Sequence, residues 1–118
     1  MQKGQKQQGT VEGTGSAINI ELGFVPSRVT LYNIDDAGGL APKMEWISGM
    51  ADGSAFKYLS IADDGTTTNK SHALVTSNGV TPYGGAAGSA AKGFTIGADS
   101  DMNASGETIL WLAEGESE

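Results

Sequence analysis

The sequence predicts an all-β fold: an antiparallel β-sandwich, jelly-roll-like, with a flexible N-terminal arm. Three observations lead there. Apolar residues alternate with polar ones over short runs, the period of a strand with one dry and one wet face, and no run shows the 3.6-residue spacing of an amphipathic helix. Turn dipeptides and glycine clusters punctuate these runs at roughly regular intervals, as in sandwiches and barrels. Eighteen glycines against three prolines indicate many tight turns rather than a low-complexity chain. At 118 residues the chain is long enough for one domain, burying roughly two-thirds of its extended surface.

Residues 1–8, MQKGQKQQ, hold one apolar side chain and cannot offset their own ordering entropy by burial. They form the arm, and residues 9–118 form the domain. In SAINIEL, Ile18, Ile20 and Leu22 alternate with Asn19 and Glu21, a strand that ends at residues 23–26. SRVTLYN repeats the pattern with Val29 and Leu31 inward, or the reverse if Tyr32 packs. After the loop IDDAGGLAP, KMEWIS sets Met44 and Trp46 on one face, and SAFKYLSI sets Phe56 and Tyr58 opposite Lys57. The two pair as a hairpin across GMADG. The loop ADDGTTTNKS contains the turn signal Asp64-Gly65, and HALVTS is a short strand ended by Asn78-Gly79. Residues 82–93 are a long loop of small side chains, either exposed slack or a flat segment lying against another subunit. The last two strands cover residues 93–97 and 107–113.

Charge and composition exclude several classes. The formal charge is −7, so no basic patch drives counterion release from nucleic acid. Without cysteines neither disulfides nor thiolate metal sites support the fold, which is compatible with a reducing cytoplasm. The polar start gives no secretory signal, and no stretch approaches the ~20 apolar residues of a membrane span. A soluble protein, without nucleic-acid or membrane partner, is expected.

The candidates for chemistry are few. DSDMNASGE, residues 99–107, alternates Asp99, Asp101 and Asn103 like the start of a calcium loop. Ala104 stands where such a loop needs glycine and Leu110 where it needs a bidentate glutamate, so a β-turn is the better reading. His72, the one histidine, has no serine motif beside it and cannot alone build a His-rich metal site. The pairs Asp35-Asp36 and Asp63-Asp64 read as solvated turns, because catalytic carboxylates must face one another across a scissile bond. GTG and GGAAG lack the lysine and helix of a phosphate loop. Trp46 and Trp111 lie in alternating strands, which favours core over a sugar-stacking platform. No enzyme, cofactor or metal is expected.

GFVPSRVTLYN, MEWISGM, TSNGVTPYGG and KGFTIGADSDMNASGETILWLA, taken in order, resemble a family of small tailed-bacteriophage and prophage virion proteins. The recurring features fall on Gly23, Phe24, Pro26 and Val29, on Trp46, on Gly93, Phe94, Ile96 and Gly97, on Asp99 or Asp101 with Asn103 and Gly106, and on Trp111 with Ala113. The resemblance implies a capsid decoration (cement) protein with a jelly-roll-like sandwich. Such a protein binds the major capsid protein outside the joints between subunits, on the outer surface of a virion whose parts are made in the host cytoplasm. Asn103 would bond its own backbone and tolerate a left-handed conformation, Gly106 would take positive φ, and Trp111 and Ala113 would pack with Phe94 and Ile96 of a neighbouring strand. A homodimer or homotrimer is expected, since exposed edges and a symmetric shell invite such contacts. Gln2, Lys3, Gln5 and Lys6 of the arm are the candidate shell-binding residues. The alternative is a tail-fibre or receptor-binding module whose Tyr32, Tyr83 or a tryptophan touches host saccharide; an enzyme would need His72 in a cleft beside a carboxylate.

Overall fold

The computed structural model describes residues 4–59, 72–83 and 92–116. Among them eight strands and no helix form: β1 (Gly4–Glu12), β2 (Ile18–Glu21), β3 (Arg28–Asn33), β4 (Lys43–Ile47), β5 (Ser54–Tyr58), β6 (His72–Tyr83), β7 (Gly93–Ile96) and β8 (Thr108–Glu116). All-β is therefore the class. The ladders join the eight in a single antiparallel sheet, in the order β1-β8-β3-β4-β5-β6-β7-β2, rather than in two separate layers. Period-2 alternation tells which side chains share a face; it does not tell where a sheet bends.

The bend follows from connectivity. β1 and β2 are the opposite edges of the sheet, yet only residues 13–17 join them, a link of at most about 20 Å. The sheet must curl into a half-barrel to bring its edges that close. Gln7 on one edge then reaches the other, its Nε2 donating to Leu22 O at 3.0 Å.

The expected flexible arm is corrected from residue 4 onward. Gly4–Gln8 belong to β1, which pairs with β8 from Gly4↔Glu116 to Glu12↔Thr108. Lys6, Gln7 and Gln8 remain exposed, so the composition argument about burial holds. What orders the segment is the backbone ladder, which satisfies main-chain groups without apolar side chains. Residues 1–3, with the candidates Gln2 and Lys3, lie outside the described residues.

The central strands follow the alternation. In β3, Val29 and Leu31 are buried while Arg28 is exposed, and Met44 and Trp46 of β4 lie opposite them on the inner face. β4 and β5 pair as expected. β6 departs from expectation: it does not end at Asn78-Gly79 but runs on to Tyr83, pairing first with β5 and then with β7. Between Ala55↔Val75 and Ser54↔Val80 four residues of β6 have no partner on β5. Asn78 sits there at φ 61, so the turn signal makes a bulge that redirects one strand from one neighbour to the next. The loop at residues 60–71, including Asp63-Asp64 and the Asp64-Gly65 turn, and most of the loop 82–93 lie outside the described residues.

The core fills the inside of the curl, built from Val29, Leu31, Met44, Trp46, Phe94, Ile96, Met102, Ile109 and Trp111 with smaller neighbours. β7 and β8 are not sheet neighbours, which corrects the expected pairing. Phe94 and Trp111 nevertheless meet edge-to-face, ring centroids 5.8 Å apart, because the curl sets β7 against β8 across the interior. β2 lies so close on β7 that a Cβ on Gly93 would stand 1.8 Å from Ile20 O. Only glycine lets this edge close.

Candidate functional site

The loop 97–107 between β7 and β8 covers one mouth of the half-barrel, and its polar groups are bonded inward. Asp99 Oδ1 accepts from the N–H of Asp101 (2.9 Å) and of Met102 (3.0 Å), and Asn103 N donates to Asp99 O at 2.8 Å. This is a turn made by its own aspartate. Gly106 takes φ 84 and supplies the bend, as expected.

Asn103 acts differently from the expectation: it is not left-handed, and its side chain bonds distant backbone. Its Oδ1 accepts from Thr14 N (2.9 Å) and Gly15 N (3.3 Å), and its Nδ2 donates to Ser16 O (2.7 Å) and Gly97 O (2.9 Å). All four hydrogen-bonding positions of a buried amide are filled. Asn103 thus pins the β1–β2 link to the cap and holds the two sheet edges together.

The carboxylates of the supposed calcium loop share an ammonium. Lys57 projects from the inner side of β5, and its Nζ lies 2.9 Å from Asp99 Oδ2 and 2.7 Å from Asp101 Oδ2. Burial alone would lower the Lys57 pKa; hydrogen bonds and charge from Asp101 and Asp99 outweigh it and hold the pKa above the usual lysine value. Among the described residues no three metal-ligating side chains gather. The neighbouring Asn33, also buried, donates from Nδ2 to Asp101 O (2.9 Å) and Glu107 Oε1 (2.8 Å). Glu107 accepts a further bond from Ala37 N at 3.0 Å. That backbone bond first, then Asn33, holds its carboxyl below the usual glutamate range.

Asp35 and Asp36 are turn residues. Asp36 Oδ2 accepts from Leu40 N at 2.8 Å, and Asp35 N donates to Asn33 Oδ1 at 3.0 Å. Asp36 borders a groove of about 330 Å³ lined also by Tyr32, Ile34, Ala41 and Pro42. His72 is exposed at the start of β6, and its ring neighbour is Tyr58, centroids 5.9 Å apart. Among the described residues no ion pair involves it.

Both tryptophans are core residues. Trp46 is 3% exposed and Trp111 9%, and Trp46 Nε1 donates to Ala51 O at 3.3 Å, the partner a buried indole needs. They offer no platform to a ligand. Tyr32 is half-buried on the outer face and Tyr83 half-buried at the end of β6.

Sequence reasoning missed the outer face of the sheet. The registers place its side chains in three rows that cross the strands. Thr10, Leu110, Tyr32, Lys43, Tyr58 and His72 form the first. Gln8, Leu112, Thr30, Glu45, Phe56 and Leu74 form the second, and Lys6, Glu114, Arg28 and Ile47 the third. Lys43 Nζ sits 5.6 Å from the Tyr32 ring centroid and 5.4 Å from that of Tyr58, a cation over two aromatic faces. Arg28 pairs with Glu45 at 2.9 Å. Beside them Ile47 (43% exposed), Phe56 (39%) and Leu74 (56%) stand in solvent. An antiparallel sheet with one solvated face normally reads polar there; this one carries apolar or aromatic side chains on five contiguous strands, β8 to β6. The signal was present in the run Ile109–Ala113, ILWLA, which is apolar at positions of both faces.

No protein-family model, curated protein or solved structure matches the chain.

Proposed function

We propose that the chain is a virion structural protein of a tailed bacteriophage, a capsid decoration (cement) protein seated on the outside of the shell over joints between major capsid subunits. The observation that carries this reading is the division of side chains between the two faces. The tryptophans and the loop carboxylates lie within the fold, while the outside is a surface suited to contact. The residues that carry the family resemblance fit it as scaffold: Val29, Trp46, Phe94, Ile96, Trp111 and Ala113 are core, and the motif glycines stand at turns and close approaches. A body plan is what such residues specify.

In the same reading the curled sheet is a jelly-roll-like sandwich whose layers are the two halves of one curl. Three of the four pairs that a rolled-up hairpin of eight strands makes, β1–β8, β2–β7 and β4–β5, are present and support this, while β3 and β6 are not paired. The protein acts by cohesion rather than conversion: binding assembled subunits more tightly than separated ones adds a stabilising increment at every occupied site. β1 is a nine-residue edge strand, open to backbone pairing with an extended segment of a shell subunit. Lys6 stands on it, and Gln2, Lys3 and Gln5 belong to the same N-terminal stretch.

The receptor-binding alternative draws on the Tyr32, Tyr58 and His72 row. Lys43 already covers both tyrosine faces, which favours cement over a sugar-stacking site. Electron microscopy of the particle carrying this chain tests the choice. Density on the outside of the shell is expected; density at the tail fibres would reverse the assignment. Lys6→Gln should lower shell occupancy with little change in the melting temperature, whereas deleting residues 1–8 also removes the first five β1–β8 pairs and destabilises the domain.

A further inference from the structure

The outer face of β8, β3, β4, β5 and β6 has the character of a face that is covered. Seven of its side chains are apolar or aromatic, with Ile47, Phe56 and Leu74 the most exposed. We propose that a second copy of this chain covers it, the two convex outer faces meeting about a two-fold axis. Charge selects the occupant. The chain carries −7 overall, so two copies repel across most of their surfaces. On this face, however, the three rows hold Lys6, Arg28 and Lys43 against Glu45 and Glu114. Arg28, Lys43 and Glu45 stand on the middle strands β3 and β4, with Leu110 and Leu112 to one side and Phe56 and Leu74 to the other, so each copy offers both signs and apolar groups to the other, as a self-complementary isologous patch requires. Size sets the strength: two rows cross all five strands and the third crosses β8, β3 and β4, and at about 4.8 Å between strands and about 6.8 Å between rows they give a footprint on the order of 400 Å² per copy, the scale of a weak, transient dimer.

The inference concerns the isolated protein and does not depend on a shell. Light scattering on the purified full-length chain should give twice the 12.1 kDa chain mass at about 100 µM, where a micromolar contact is nearly saturated. Phe56→Glu and Leu74→Glu should each return the mass to one chain with an unchanged far-ultraviolet spectrum, and Phe56→Leu should keep the dimer. A single-chain mass for the wild type at every concentration overturns the proposal and leaves the face to a different partner. A trimer overturns the two-fold geometry, and a dimer that survives both charged substitutions overturns the choice of face.

Discussion

The two faces of the same strands teach opposite lessons. On the inner side of β5, Lys57 is held by Asp99 and Asp101, and around it Asn33 and Asn103 bond the backbone of Thr14, Ser16, Gly97 and Asp101. One residue back along β5, on the outer side, Phe56 has no such company and stands 39% exposed. The inner polar groups are satisfied and close the mouth of the half-barrel; the outer apolar groups are unsatisfied and await a contact. Removing an inner group leaves buried partners without hydrogen bonds, whereas removing an outer one leaves the fold as it was.

The sharpest way to break that contrast is at Asn103. Asn103→Ala leaves Thr14 N and Gly97 O without a partner, while Gly15 N keeps the backbone Asn103 O and Ser16 O keeps Thr14 Oγ1; at about 1–3 kcal/mol for each group that water cannot reach, it should lower stability by about 2–4 kcal/mol in chemical denaturation. Gly93→Ala comes next: a methyl 1.8 Å from Ile20 O pushes β2 off β7 at a cost of about 2–3 kcal/mol. Lys57→Met should cost about 1–2 kcal/mol, since it leaves Asp99 and Asp101 facing one another without a cation. Leu74→Glu, at a 56% exposed position with no carboxylate opposite, should change the stability of the single chain by no more than about 0.5 kcal/mol.

The pH dependence sharpens the same comparison. Lys57 has a folded-state pKa raised above the ordinary 10.5, so its contribution is fully present below 10.5 and is lost as pH climbs through the folded value. Glu107 has its pKa lowered from the ordinary 4.5, so its contribution is present above 4.5 and is lost as pH falls through the folded value. Denaturation followed from pH 3 to 11 should show both limbs. Glu107→Gln should flatten the acid limb and Lys57→Met the alkaline one.

How much of this could be read in advance depends on the range of each interaction. The alternation in β3 and β4 is local, and Val29, Leu31, Met44 and Trp46 fall where it places them. β1 escaped notice because a ladder holds its Gln- and Lys-rich segment, and no side-chain pattern reports a ladder. β6 outran its turn signal because Asn78-Gly79 accommodates a bulge as readily as a reversal. Lys57 finds its carboxylates 42 and 44 residues away, and Asn103 reaches 87 to 89 residues back to the β1–β2 link. Those partners are set by the curl, which no run of residues encodes. Gly106, whose task is confined to its own turn, needed only its neighbours.

The concentration dependence of the melting temperature, taken on the wild type, Leu74→Glu and Asn103→Ala together, tests the division between faces most directly. A contact made only by the folded chain raises the melting temperature with concentration. The wild type should therefore rise, Leu74→Glu should stay flat at the wild type's dilute value, and Asn103→Ala should rise in parallel from a lower start. A wild type that stays flat, or a Leu74→Glu chain that melts well below the dilute wild type, would contradict the account.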